Sequence, residues 1–276
     1  MQIVTLDTLP LDTVIATFNE AFSDYAVSIK LDRERFLNMQ KRRGFRVELS
    51  VGAVEDERLV GISLTGFGTW RGAATGYGSG TGVIPVARNR GLAGDMMEMA
   101  VGLASAAGAE KYVLEVMCQN EPARRAYERA GFAIARTLDC WTLDDVSEGS
   151  DVEIELDEGF SPAPPGVGSW TPSWQNSDES LARAPERVVT LANMRGGRQV
   201  GHAALCPETG DLPQFAVAPE ARRQGIGRAL IARARRISRM PLRIINTDAS
   251  DAATSAFLSA IGATKTLPQY EMVREG

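Results

Sequence analysis

The stretch Val83-Ile84-Pro85-Val86-Ala87-Arg88-Asn89-Arg90-Gly91-Leu92-Ala93 decides the fold. A short apolar run stops at a proline, and a polar turn containing one glycine follows. A helical pattern then begins, with Leu92, Met96, Met99 and Leu103 on one face. The order is strand, tight loop, helix. Glycine lets such a loop approach an anion closely, and the unpaired N–H groups and dipole of the first helical turn attract it. In physical terms this is a pyrophosphate site; the plainer reading is a strand-to-helix turn.

The stretch has an echo. Arg88-Asn89-Arg90-Gly91-Leu92-Ala93 aligns with Arg222-Arg223-Gln224-Gly225-Ile226-Gly227 at an offset of 222 − 88 = 134, and Pro85 and Pro219 each stand three residues before. Further on, Ala130-Gly131-Phe132 aligns with Ile261-Gly262-Ala263 at an offset of 261 − 130 = 131. Two matches in one order, each set in strand–helix–strand–helix, predict a duplicated domain. The length of 276 residues agrees, since division by a typical 150 gives about 1.8 domains.

Around these anchors, strands alternate with helices. Helices are expected at 11–22, 31–43, from Gly91 onward and at 121–130. Strands are expected at 47–54, 59–64, 112–117 and 132–143. The second half repeats the order, with a hairpin at 188–205, a helix from Gly225, a strand at 242–246 and a helix at 251–260. The class is therefore α/β (α+β layered), with two similar domains. A first domain is expected over 1–145, a linker or irregular edge over 146–170 around the breaker cluster Ser161 to Gly166, and a shortened second domain over 171–276.

Composition excludes several classes. Apolar residues make up 44% and charged residues 24%, which is ordinary for a globular chain. Net charge is 30 − 35 = −5, which argues against a dedicated nucleic-acid binder. No apolar run reaches membrane length, and Asp7, Asp12 and Glu20 break up any signal peptide, so a cytoplasmic location is expected. Cys118, Cys140 and Cys206 are scattered, and His202 is the one histidine, so no metal site is expected. Two other glycine patterns fail as phosphate motifs. Gly78-Ser79-Gly80-Thr81-Gly82 leads to a proline, and His202 stands where a loop beginning at Gly196 would need lysine.

Two segments together, Val83-Ile84-Pro85-x-x-Arg88-x-x-Gly91-x-Ala93 and Asn120-Glu121-Pro122-Ala123-x-x-x-Tyr127-x-x-x-Gly131-Phe132, resemble the GNAT (Gcn5-related) N-acetyltransferase superfamily. The resemblance covers residues 1–145, and a degraded version lies over about 170–276. It implies two GNAT-like domains in tandem, each a mixed, mostly antiparallel sheet flanked by helices, the second degenerate. It implies acetyl-CoA as co-substrate and a small-molecule or peptide amine as acceptor. Residues Arg88, Asn89, Arg90, Gly91, Leu92 and Ala93 would hold the coenzyme pyrophosphate, Val83 would offer its backbone to the acetyl carbonyl, and Asn120 would touch the coenzyme. The superfamily also implies Tyr127 as acid to the departing thiolate, and an acceptor pocket near Asp24 and Tyr25, with Trp141 as a further wall.

Glu115 stands out independently. It interrupts the apolar strand Tyr112-Val113-Leu114-Glu115-Val116-Met117, where an acid is costly unless paired or functional. Desolvation would raise its pKa toward the range of a general base. The segment Leu114-Glu115-Val116 followed by Asn120 resembles the ribosomal-protein alanine acetyltransferase branch, in which this glutamate is implicated as base. A buried acid satisfied by neighbours is the alternative, as a core aromatic is for Tyr127. Asn120 also reads as the cap of the helix at 121–130, with Pro122 in its first turn.

At the offset of 131, Glu115 corresponds to Asn246, Tyr127 to Leu258 and Asn120 to Asp251. The second copy keeps the loop and loses both proton carriers. It would hold coenzyme without catalysis or be structural. Its arginines from Arg222 to Arg243 form a solvated helix face or a polyanion surface. For the whole chain, an acetyl-CoA-dependent N-acetyltransferase with its chemistry in the first domain is one reading, and a non-catalytic coenzyme-binding or regulatory protein is the other.

Overall fold

The computed structural model describes residues 1–24, 30–144 and 152–276. The chain divides into two units, Met1–Ala135 with Glu271–Gly276, and Arg136–Tyr270.

The first unit holds β1 (Gln2–Thr5), α1 (Leu11–Ala21), α2 (Arg33–Arg43), β2 (Val51–Glu55), β3 (Arg58–Trp70), β4 (Ala73–Val83), α3 (Leu92–Ala106), β5 (Lys111–Met117) and α4 (Glu121–Arg129). Its sheet runs in the order β1-β2-β3-β4-β5, antiparallel except for the parallel β4–β5 pair. The expected strand at 47–54 starts only at Val51, because Val47–Leu49 makes a 3-10 turn. Strand β6 (Ala133–Leu143) crosses the division, and its residues 138–143 pair with the second unit.

The second unit continues with β7 (Glu155–Glu158), α5 (Asp178–Ala182), β8 (Val189–Arg195), β9 (Arg198–Cys206), β10 (Asp211–Val217), α6 (Ile226–Ile237), β11 (Leu242–Asp248), α7 (Ala252–Ala260) and β12 (Thr264–Lys265). Its sheet order is β6-β11-β10-β9-β8-β7, again with one parallel pair, β10–β11. The last strand, β13 (Gln269–Glu275), sends residues 271–275 back to the first unit, beside β5. Each sheet thus ends on a strand that sequence order would give to the other half. This is why the division falls at 135 and not at the expected 145. The stretch 146–170 holds β7, which pairs with β8, and just beyond it Trp174 is buried.

The duplication holds at the helices that follow the two loops and caps, while among the described residues the 11-residue α1 and α2 of the first unit are matched in the second only by the five-residue α5. Helix α6 starts 226 − 92 = 134 residues after α3, and α7 spans α4 shifted by 252 − 121 = 131.

Each unit has its own core. In the first, Phe18, Phe36, Ile62 and Leu64 pack under α1 and α2, and Ile84, Leu92, Met96 and Ala100 pack under α3. In the second, Trp141, Leu191, Leu230, Leu242 and Leu258 share one cluster. Among the described residues no helix is long and apolar enough to cross a membrane.

The glycines of β4 are explained by packing on both faces. The register pairs Leu64 with Gly80 and Thr65 with Gly78, so Ser79 is an extra residue, a β-bulge. Before the bulge, a Cβ at Gly76 would lie 2.5 Å from the Tyr112 ring and 3.0 Å from Ala104 of α3. After it, a Cβ at Gly82 would lie 3.0 Å from Ala21 and from Phe22 at the end of α1. The bulge turns the glycine face from α3 to α1, and the strand needs small residues on both sides of the switch. Ser79 is pinned by donating to Gln40 Oε1 at 2.6 Å and by accepting from Arg43 Nη1 at 2.8 Å through its carbonyl.

Candidate active site

Strands β4 and β5, with the first turns of α3 and α4, enclose a cleft of about 1230 Å3 in the first unit. Its wall includes Val83, the whole loop Arg88 to Ala93, Asn120 and Tyr127. All the coenzyme-contact residues expected from sequence are therefore brought to one cleft.

The loop conformation follows from its residues. Asn89 has φ 62° and Gly91 φ 81°, both in the left-handed region that asparagine and glycine tolerate best. Gly91 caps α3 and has no side chain of its own to bond the amides of the first turn. A Cβ built at Gly91 or Gly94 meets no atom within 4 Å, so the space beside the loop is open.

The arginines do something other than reach into that space. Arg88 donates from Nε to the Val83 carbonyl at 3.0 Å, from Nη2 to the Ala21 carbonyl at 3.0 Å, and in a fork to Asp24 at 2.7 Å. Arg90 pairs with Glu55 at 2.5 Å. Arg88 thus ties the end of β4 to the end of α1, and its hydrogen bond holds the Asp24 carboxyl below the usual carboxylate range. Asp24, expected in an acceptor pocket, does line the cleft, as an ion-pair partner. Tyr25 lies outside the described residues. Trp141 does not line the cleft. It is buried in the core of the second unit, donating to Thr247 Oγ1 at 3.1 Å.

Asn120 caps α4 as expected, accepting from the Ala123 amide at 3.3 Å. Tyr127 sits two turns on from this cap and faces the cleft, with its ring centroid 6.0 Å from that of Phe132. Glu115 shares a face of β5 with Met117, which lines the cleft, whereas Glu115 is not among the lining residues. Its Oε2 accepts the hydroxyl proton of Tyr77. Tyr77 is fully buried, and burial together with the Glu115 charge pushes its pKa well above the ordinary phenol value. That partner escaped the sequence reading. The signal was there, an aromatic between Gly76 and Gly78, but only the parallel pairing of Tyr77 with Val113 sets it beside Glu115. Asp95 and Glu98 on the cleft wall were also missed; Glu98 is held low in pKa by its bond from Arg274.

The second unit repeats the loop geometry. Arg223 has φ 63° and Gly225 φ 83°, and Arg222 Nε donates to the Val217 carbonyl at 3.1 Å, as Arg88 does to Val83. Arg222, Arg223, Gly225, Ile226 and Gly227 line a cleft of about 550 Å3; Gln224 donates to the Glu220 carbonyl at 3.4 Å. Asp251 caps α7, as Asn120 caps α4. Where Glu115 would be, Asn246 is buried and bonded to Gln269 at 2.9 Å, and where Tyr127 would be, Leu258 is buried in the core.

The acetyltransferase (GNAT) family profile matches residues 12–132, and a second GNAT-domain profile matches residues 185–261. The chain belongs to the GNAT superfamily. Its GNAT architecture is a tandem one. It is similar to a tandem GNAT protein from the clavulanic acid biosynthesis pathway, at 14% identity and a TM-score of 0.69, covering 99% of this chain and 98% of that one. It is equally similar to a GCN5-related N-acetyltransferase from Sphaerobacter thermophilus, at 15% identity and a TM-score of 0.69, covering 97% and 93%. A GCN5-related N-acetyltransferase from Anabaena variabilis matches at 12% identity and a TM-score of 0.57, covering 99% and 72%. At these identities the likeness is one of GNAT fold. No curated protein sequence matches the chain.

Proposed function

We propose that the chain is an acetyl-CoA-dependent N-acetyltransferase that acts in its first unit, by direct attack of a primary amine on the thioester. The observation that carries this reading is one continuous cleft. It holds an anion-ready loop at one end and a tyrosine hydroxyl further along, and the second unit has no counterpart of that hydroxyl. Pyrophosphate oxygens would be held by the amides of residues 89–93. Tyr127 would give a proton to the thiolate as the carbon–sulfur bond breaks. The amine must also lose a proton, and Glu115, held by Tyr77, is the acid on the adjoining face of β5 that would accept it through a water.

A specific observation favours the second reading, a coenzyme-binding protein without turnover. Glu115 is engaged by Tyr77 and is absent from the cleft wall. Thiol release from acetyl-CoA over a panel of primary amines, with acetylated product identified by mass, separates the two. Turnover that Gly91→Val abolishes supports the enzyme. Tight coenzyme binding with no acetylated product from any amine assigns the regulatory role.

A further inference from the structure

We propose that the second unit carries a ligand site of its own, a compact pocket for a nucleoside phosphate that is too short for an acyl-coenzyme thioester. The inference is independent of any activity in the first unit.

Charge is the first argument. Among the described residues the second cleft is lined by Arg222, Arg223 and Arg228 and by no carboxylate. Among the described residues none of these three forms an ion pair. The acids nearby in sequence are engaged: Glu220 pairs with Arg198 at 3.3 Å, and Asp251 caps α7. In the first cleft the corresponding Arg88 is neutralised by Asp24, Arg90 by Glu55, and Asp95 and Glu98 add to the wall. Two loops of one backbone geometry thus stand in opposite electrostatic surroundings. Three unneutralised guanidinium groups in one concave site select a multiply charged, oxygen-rich anion.

Shape is the second argument. Phe215 and Phe257 stack with ring centroids 5.3 Å apart and 12° between planes, and both line the cleft half-buried. By the two offsets they stand where the first unit has Thr81 (215 − 134) and Ala126 (257 − 131), both small and both on the wall of its cleft. The rings cross from β10 to α7 and rest on the first turn of α6, where a Cβ at Gly227 would lie 3.0 Å from Phe257 and 3.4 Å from Phe215. They fill the lane that stays open in the first unit, and the remaining space is about 550 Å3 against about 1230 Å3. That volume is in the range of small-ligand sites, and phenyl faces beside bound phosphate suit a planar base.

The test is calorimetric titration of the full chain with adenosine 3′,5′-bisphosphate while coenzyme A is saturating. One further equivalent of bisphosphate is expected to bind, and Arg223→Ser with Arg228→Ser should weaken it at least tenfold. Wild type should bind one coenzyme A, and Phe215→Thr with Phe257→Ala, copying the first unit, should bind two. Should that double variant fail to fold, the arginine variants still decide. Absence of bisphosphate binding, indifference to both arginines, or two coenzymes on the wild-type chain would overturn the proposal. So would affinity that climbs steadily with the length of an oligouridylate, which would assign the arginines to a strand of RNA. Failure of the first-unit reading looks different: no coenzyme binds at any concentration, while the bisphosphate titration still reports on the arginines.

Discussion

Tyr127→Phe is the cleanest single-atom probe of the proposed chemistry. The ring keeps its place beside Phe132, so coenzyme affinity should hold while turnover drops about 10²–10⁴-fold, the usual worth of acid–base help. Steady-state rates set beside a binding titration check this. Glu115→Gln should suppress turnover near neutral pH without loss of coenzyme affinity. A lowered melting temperature with intact turnover would make Glu115 a structural acid bonded to Tyr77. His202 gives a pH dependence of another kind. It is buried between Gln199 and Gln214, and burial lowers its pKa from the ordinary 6.5. The folded chain then binds this proton more weakly than the unfolded chain. Its contribution to stability is complete above about pH 6.5 and is lost as pH falls toward the folded value. Thermal melts between about pH 7.5 and pH 5 should show that slope, and His202→Gln should flatten it. Residue types and spacing in the sequence pointed to Asn120 and Gly91, because caps and tight loops are local features, whereas Tyr127 came from the GNAT resemblance. The partners of Arg88 and Glu115 were not legible, since Asp24 and Tyr77 reach them across 64 and 38 residues of sequence.

At the scale of elements, the glycine-rich strand was legible as a composition and opaque as a structure. A run of alternate glycines reads equally as a loose edge or as a crowded centre. The crowding comes from Tyr112, Ala104, Ala21 and Phe22, whose positions no local pattern reports. Two glycine substitutions of opposite sign follow from it. Gly76→Ala sets a methyl 2.5 Å from the Tyr112 ring, and this overpacking should cost about 1–3 kcal/mol. Gly102→Ala, on the exposed side of α3 with no atom within 4 Å of the new Cβ, should add about 0.5–1 kcal/mol through helix propensity. Denaturant melts of both variants test the pair.

For the whole molecule, the duplication was readable because loop and cap chemistry recur at nearly fixed offsets. The strand exchange was not, because β6 and β13 are each plausible ends for either half by pattern alone. Residues 271–276 give the first unit a strand beside β5, the buried Met272, the pairing of Glu271 with Arg71 at 3.3 Å and that of Arg274 with Glu98 at 2.8 Å. Deleting them should expose the β5 edge and lower the stability of the first unit more than that of the second. Hydrogen exchange resolved by segment would show β5 losing protection while β8 and β9 keep theirs. The same arrangement sets a schedule on the ribosome. After Ala135 has been made, 275 − 135 = 140 more residues must be added before the last strand of the first unit is complete, a wait on the order of ten seconds at ordinary translation rates. During that interval the proposed catalytic half is a nascent chain with an open sheet edge, and its sheet is closed only once synthesis has passed residue 275.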